Sequence, residues 1–473
     1  MDNLFGGGVM LGSKDAFLDR TKLELSAMQM HHCGIQECEK GYMWQFHARP
    51  YHLLHFVLEG EGTLITAKEI LKRVGPGIVL TGVVIGPGNI TTSAMIGANY
   101  GYSLIWLIIP ILIMGVTFML TSYRISMLTG MPILHAIRHY YGKIASAFCG
   151  IALFLSCLFF TLGNVSGTGA GMNLLFGINW KLGALIMLAV LTVLYFSKGV
   201  YSKVEKGILV CIIGMIFAFY ATLVATGGPD WGAMGHGLTH WSVPEGSLTT
   251  ALAYISTNAA VTAGIYGTYL GAEKKWKKED LFNGAMKWDA IAHVVSVILI
   301  SGAIILVGAI VLNPQGIEIK APAQLAELLV PFLGKASNVV MGVALLGAGF
   351  SSLLGNTQRG MVLLSAGIDK DVALESKLIR WGCMITLAFA CIVCFAYGGS
   401  PTQLIFIANI ATSIATPVAG LFITLMFWKK EVQAGLKAPR VLQVLMTVSY
   451  IFTLVMTVSA LANYIPKLIA SFS

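Results

Sequence analysis

From residue 74 onward the sequence repeats one pattern, a long apolar run closed by a short polar stretch rich in glycine, lysine or arginine. Eleven such runs are discernible, at 74–96, 102–123, 144–170, 182–197, 206–227, 248–271, 288–312, 333–357, 378–397, 401–428 and 441–465. Each is near the roughly 20 residues that an α-helix needs to cross about 30 Å of hydrocarbon. None has the short alternating pattern of a barrel strand. Backbone polar groups in lipid must be paired, and within one continuous apolar run a helix does this alone. The pattern predicts an all-α polytopic membrane protein.

Two of the runs are interrupted. The first carries Gly75-Pro76-Gly77 at its start and Gly86-Pro87-Gly88-Asn89 at its middle, followed by Thr91-Thr92-Ser93. Proline removes a donor and clashes with the preceding turn, while glycine tolerates unusual dihedrals, so the helix is expected to unwind there. The sixth carries Ser256-Thr257-Asn258, then Thr262, Gly264 and Gly267. The breaks are five spans apart, which points to two inverted repeats with a binding site where the interruptions meet. Unwound backbone is tolerated at that depth where it lines a cavity.

Composition sharpens the class. Charged residues make up 11% of the chain, against about a quarter in soluble domains, so most of the surface must face lipid. The formal charge of +9 suggests nucleic acid until the charges are placed. With loops numbered alternately from the inside, only Lys181, Lys320, Lys335 and Lys467 fall outside; all other basic residues after 67 fall inside. That asymmetry is the positive-inside pattern, with the N-terminus cytoplasmic and the C-terminus outside a plasma membrane. It argues against a nucleic-acid partner. Arg359 counts among the inner-loop charges in this scheme. Six of the eight cysteines lie in apolar runs, where a thiol behaves as a small hydrophobe, and no disulfide framework is expected. No cleavable signal sequence opens the chain. No nucleophile–base pair, phosphate loop or zinc motif suggests an enzyme, and nothing implies a cofactor or an obligate protein partner.

Residues 1–67 differ from the rest and read as a cytoplasmic extension ahead of one membrane domain at 68–473. They hold His31, His32, His47, His52 and His55 with several acids, in no known metal spacing. The run from Tyr51 to Leu64 reads as a strand, a glycine turn and the start of another strand. It resembles the first strands of the cupin-like sensor domain of AraC-type regulators, over a stretch too short to close a sensor barrel. A partial cupin-like fragment and an artefactual fusion are both compatible with it. A non-transporting sensor with this segment as its output arm is a further reading.

The stretch Lys72-Arg-Val-Gly-Pro-Gly77 leading into Gly86-Pro-Gly-Asn89 resembles helix 1 of the Nramp divalent-metal transporters. Asn173-Leu-Leu-Phe-Gly-Ile178, Ile265-Tyr266 and the tenth run around Pro417 resemble that family as well. The resemblance spans essentially all of 68–465. It implies a LeuT-like arrangement, with spans 1–5 and 6–10 as inverted repeats, helices 1 and 6 broken, and an eleventh helix added.

The same resemblance shows where the chemistry departs. The family's metal-binding Asp is Gly86 here, while its Asn is kept as Asn89. The family's sixth-span Ala-x-x-Met aligns with Asn258-Ala-Ala-Val261, and the histidines that follow become Ala263 and Thr268. The third-span acids of the proton route become Thr161 and Asn164, and a tenth-span glutamine becomes Asn409. A dehydrated divalent ion in low dielectric needs compensating negative charge. Asn89, Asn258, Asn409, Thr262 and a freed Gly86 carbonyl offer neutral oxygens, with Gly86, Asn89 and Asn258 as the closest metal ligands. Such a set suits a hard ion that keeps part of its water, Mg²⁺ or Mn²⁺, as in the magnesium-associated branch related to this family. Reinstating a carboxylate by Gly86→Asp is expected to tighten such a site. The alternative substrate is a small polar organic solute such as an amino or organic acid, whose carboxylate a half-helix N-terminus would hold. Asp289 and His293, one turn apart in the seventh span, are the remaining intramembrane ionisable pair. They read as a relay or vestibule, or as a boundary pair with Asp289 matched to Lys287.

Overall fold

The computed structural model describes four short strands between Asp15 and Gln36, and 81–470 except residues 83, 197–200, 259–260, 274–275, 277 and 282–283. The strands form two antiparallel pairs, Asp15–Phe17 with Gly34–Gln36 and Glu24–Leu25 with Met28–Gln29. The strand expected over 51–64 and the Gly75-Pro76-Gly77 stretch lie outside the described residues.

Every run predicted from the pattern carries helix. The first span is helical at 81, 82 and 84, leaves the helix at Ile85 and Gly86, and resumes as Pro87–Tyr100. Gly86 is extended at φ −120° and ψ 178°, and Pro87 opens the new helix at the position where a missing N–H costs nothing. The second span is Ile108–Thr129 and the third is the long helix Ile133–Phe176, turned sharply at Gly142, whose φ of 90° only glycine adopts readily. Trp180–Phe196 and Tyr201–Ala225 are the fourth and fifth spans. A short helix, Trp231–Thr239, is capped by the Asp230 carboxylate on the Ala233 amide at 3.0 Å. The sixth span appears as Leu248–Asn258 and Val261–Glu273, and the two residues between them lie outside the described set.

The seventh span is Ala285–Val311, the eighth Ser337–Gly367, the ninth Lys377–Ala396 and the eleventh Arg440–Ala470. The tenth is Pro401–Ala411 and Ala415–Trp428, joined by a tighter turn at Thr412–Ile414 of the kind that marks a hinge. Seven helices among the described residues are long and apolar enough to cross a bilayer. The eighth runs ten residues beyond the expected end at 357. Arg359 therefore sits inside a helix and is 4% exposed, which corrects its assignment to an inner loop.

Small residues set the closest helix crossings, as in other membrane bundles. The third and eighth spans meet at Gly150 and Gly367, where a Cβ on either would lie 2.7 Å from the other's Cα. The first and seventh meet at Gly97 and Gly308. Large apolar side chains such as Ile144, Val193, Phe217, Val224, Ile385 and Val441 point outward, as a lipid-facing surface requires.

Candidate functional site

The first, sixth and tenth spans converge on three asparagines. Asn89 lies in the first turn after the break, Asn258 ends the first half of the sixth span, and Asn409 stands just before the tight turn of the tenth. The Asn89 Nδ2 donates to the Asn258 Oδ1 at 2.8 Å. Asn258 in turn donates to the Tyr254 carbonyl at 2.7 Å and the Thr257 hydroxyl at 3.0 Å. The Asn409 Nδ2 donates to the Gly88 carbonyl at 3.0 Å, and its own carbonyl accepts from Ser256 at 2.7 Å. Gly88 must be glycine for this approach, since a Cβ there would lie 2.7 Å from the Asn409 Oδ1.

These bonds leave two oxygens over. The Oδ1 atoms of Asn89 and Asn409 are buried without a hydrogen-bond partner, an arrangement native interiors rarely leave unfilled. Thr262, at the start of the second half of the sixth span, is half-buried. A small cavity lined by Leu252, Ile255, Ser256, Ser413, Thr416, Thr453 and Thr457 adjoins the Ser256 side of this junction.

The break does not free the Gly86 carbonyl. It accepts the Ile90 amide at 3.1 Å as the first bond of the resumed helix, which leaves one lone pair for any further partner. Nor is the position open: a Cβ on Gly86 would lie 2.5 Å from the Ser352 Oγ and 2.6 Å from the Asn164 Oδ1. A side chain reinstated there must first displace both.

The other expected residues divide. Asn164 faces the break at Gly86, whereas Thr161 does not. The Thr161 hydroxyl donates to the Cys157 carbonyl at 2.8 Å and accepts from Asn356 at 3.0 Å. Asn356 also binds the Cys157 carbonyl at 2.6 Å and accepts from the Arg359 guanidinium. Asp289 and His293 are both buried. The Tyr123 hydroxyl donates to Asp289 at 3.1 Å, and His293 Nδ1 is 2.9 Å from the Thr81 hydroxyl. Lys287 is exposed, and the buried Asp289 is met by Tyr123 instead. The sequence does not single out Ser352, and it places Arg359 among the inner-loop charges and not in a span. The signal for Arg359 was the apolar Met361–Leu364 run that continues the helix past it.

Among the described residues no group of three or more His, Cys, Asp or Glu side chains gathers. Any ion at the asparagine junction meets amide, hydroxyl and carbonyl oxygens.

The sequence profile described as "Natural resistance-associated macrophage protein-like" matches residues 77–463. The chain is 27% identical over 393 residues to the divalent metal cation transporter MntH of Agrobacterium fabrum, covering 79% of this chain and 83% of that protein. It is 24% identical over 365 residues to the MntH of Caldanaerobacter subterraneus, covering 75% and 84%. Its fold is similar to a crystal structure of a mutant manganese transporter from Eremococcus coleocola, with a TM-score of 0.69, 16% identity and coverage of 84% and 87%. A crystal structure of MhsT in complex with L-phenylalanine is similar at a TM-score of 0.55 and 16% identity, covering 82% of this chain and 98% of that one.

Proposed function

The chain belongs to the Nramp family, and from that premise we propose that it carries divalent metal cations across the membrane by alternating access. The substrate is a hard, partly hydrated ion, Mg²⁺ or Mn²⁺, held by Asn89, Asn258 and Asn409 directly or through water, with Thr262 beside them. The observation that carries this reading is the pair of buried, unpartnered Oδ1 atoms where three spans meet. Neutral oxygens hold a hydrated ion by accepting hydrogen bonds from its water, and a reluctantly dehydrated ion such as Mg²⁺ keeps that water. The lack of a thioether removes the preference for soft metals.

Proton coupling is absent on this reading. Thr161 and Asn164 are neutral, and Thr161 is occupied by backbone and Asn356. Membrane potential, at about 2.3 kcal/mol per charge per 100 mV, is enough to draw a divalent cation inward. The N-terminus lies in the cytoplasm, the C-terminus outside, and residues 1–67 precede the transport domain as a separate extension.

Proteoliposomes holding the full chain and an internal pH dye test this. Uptake of Mg²⁺ or Mn²⁺ driven by an inside-negative potential, with no internal acidification, is the expected result. No divalent uptake, or uptake that acidifies the lumen, defeats it. One observation favours a second substrate class. The helix starting at Pro87 has no side-chain cap, and such an N-terminus suits a carboxylate. Amino or organic acid uptake in the same vesicles, without divalent uptake, would establish that alternative.

A further inference from the structure

Between the fifth and sixth spans, His236 and His240 stand four residues apart at the end of the short helix Trp231–Thr239. Side chains at that spacing share one face of a helix. Here the two imidazoles lie parallel, with ring centroids 3.8 Å apart and planes 6° apart. Both are exposed, and the asparagine junction makes no use of them. Thr239 Oγ1 lies 2.9 Å from the Gly235 carbonyl, 3.2 Å from the His236 carbonyl and 3.1 Å from His240 Nδ1. A hydroxyl has one proton and a carbonyl oxygen can only accept, and the shortest of these contacts is to a carbonyl. The proton of Thr239 is committed there, so His240 Nδ1 donates to the hydroxyl and the lone pair of that ring sits on Nε2. Metal-ligating histidines are oriented in this way, by a hydrogen bond from the nitrogen that does not ligate.

We infer that His236 and His240 form a peripheral site for a borderline divalent transition ion such as Zn²⁺, Ni²⁺ or Cu²⁺, bound by one nitrogen of each ring. Zinc–imidazole bonds are about 2.0–2.1 Å, so one ion spans two nitrogens up to about 4 Å apart. The 3.8 Å ring separation lies within that reach. A small rotation of each ring about its Cβ–Cγ bond turns the in-plane lone pairs toward a shared ion. Two histidines four apart on one helical face are the chelate that helical zinc motifs use. No further His, Cys, Asp or Glu joins them among the described residues, so water completes the coordination. Mg²⁺, which favours oxygen ligands, is not taken up there.

The helix is fastened on both sides of the pair. Gly237 sits against the Tyr102 carbonyl, where a Cβ would lie 2.2 Å away, and the Asp230 amide donates to the Tyr102 hydroxyl at 3.1 Å. Trp241, next after His240, stacks on Trp106 with centroids 5.2 Å apart, and the Trp106 Nε1 donates to the Ser242 carbonyl at 2.9 Å. The histidines are thus presented on a platform built against the turn that follows the first span. There, imidazole retains a transition ion at the end of the bundle, apart from the neutral oxygens of the asparagine junction. The site does not depend on which substrate those asparagines carry.

The test is labelling of the purified full chain in detergent with diethyl pyrocarbonate, which modifies free imidazole nitrogens, read histidine by histidine by mass spectrometry. Zn²⁺ should shield His236 and His240 together, over one saturable concentration range, and a large excess of Mg²⁺ should shield neither. His236→Gln should leave His240 unshielded in that range, and His240→Gln should do the same to His236. Thr239→Val removes the hydroxyl that orients His240 and should raise the Zn²⁺ needed by about tenfold or more. Labelling of either histidine that Zn²⁺ does not change overturns the site, as does shielding of one that survives loss of the other. Calorimetric titration with Zn²⁺ in excess Mg²⁺ answers without labelling. The variant with both histidines replaced by Gln should bind one ion fewer than the unaltered chain, and equal stoichiometry defeats the proposal. Failure of divalent uptake with the shielding intact would sink the proposed transport function alone.

Discussion

Asn89 donates its side-chain amide to the Oδ1 of Asn258 at 2.8 Å, joining the resumed first helix to the end of the first half of the sixth. Both side chains are at most 2% exposed. Removing either strands the other's polar atom in the interior, at a cost of about 1–3 kcal/mol. Asn89→Ala and Asn258→Ala should therefore each weaken divalent uptake. Because they share one bond, the double variant should be little worse than either single. Metal titration of all three proteins checks this, and fully additive losses would mean that the two side chains act apart.

Gly86 is needed for space, not for backbone freedom. Its dihedrals are extended ones that any residue adopts, yet a methyl there runs into Ser352 and Asn164. Overpacking of this kind costs about 1–3 kcal/mol. Gly86→Ala is expected to lower the unfolding temperature and depress uptake. Gly86→Asp meets the same two oxygens, so tighter metal binding should emerge only when Ser352→Gly opens room. Isothermal titration with Mn²⁺ on the single and double variants decides; tightening in Gly86→Asp alone would contradict the crowding.

The bundle was legible because span length is fixed by the bilayer, and eleven apolar runs of that length leave little else to build. The first break was legible because Gly86-Pro87-Gly88 cannot continue a helix. What the sequence hid was set by contacts between distant residues. Asn164 and Ser352 are far from Gly86 along the chain, and their approach to it depends on how the third and eighth spans lean on the first. The Gly86 carbonyl looked free because proline breaks the helix before it. In fact Pro87 restarts one immediately, and Ile90 takes that oxygen. From the sequence the eighth span ends at 357, because Arg359 has the character of a boundary charge, whereas the helix runs to Gly367. A helix can bury one when a polar neighbour such as Asn356 receives it.

Tyr123 supplies a hydroxyl to Asp289 while its ring packs edge-on against Trp276, with centroids 4.9 Å apart. Gly267 is what lets the ring in, since a Cβ there would lie 2.7 Å from the phenol oxygen. Tyr123→Phe keeps the packing and removes one donor from a buried carboxylate, a loss of about 1–3 kcal/mol. Asp289→Asn needs no charge stabilisation and should be the milder change. Unfolding temperatures in detergent should rank the unaltered protein first, then Asp289→Asn, then Tyr123→Phe. The reverse order would show that Asp289 is held mainly by other groups.

Arg359 is the eighth span's buried cation, and its Nε and Nη1 have no hydrogen-bond partner while Asn356 receives another of its donors. A charge kept in the interior on so few bonds is a net cost to folding, and apolar replacements of similar volume are often neutral or stabilising. Arg359→Met should thus unfold at the same temperature or higher. Asn356→Leu does the opposite: it leaves the guanidinium in place and takes away its acceptor, a charged hydrogen bond of about 1.5–3 kcal/mol. It also strips Thr161 of the amide that Asn356 donates. If Arg359 serves transport and not stability, Arg359→Met will be stable yet slow in vesicle uptake. A marked fall in the unfolding temperature of Arg359→Met would instead show that the guanidinium is a structural tie between the third and eighth spans.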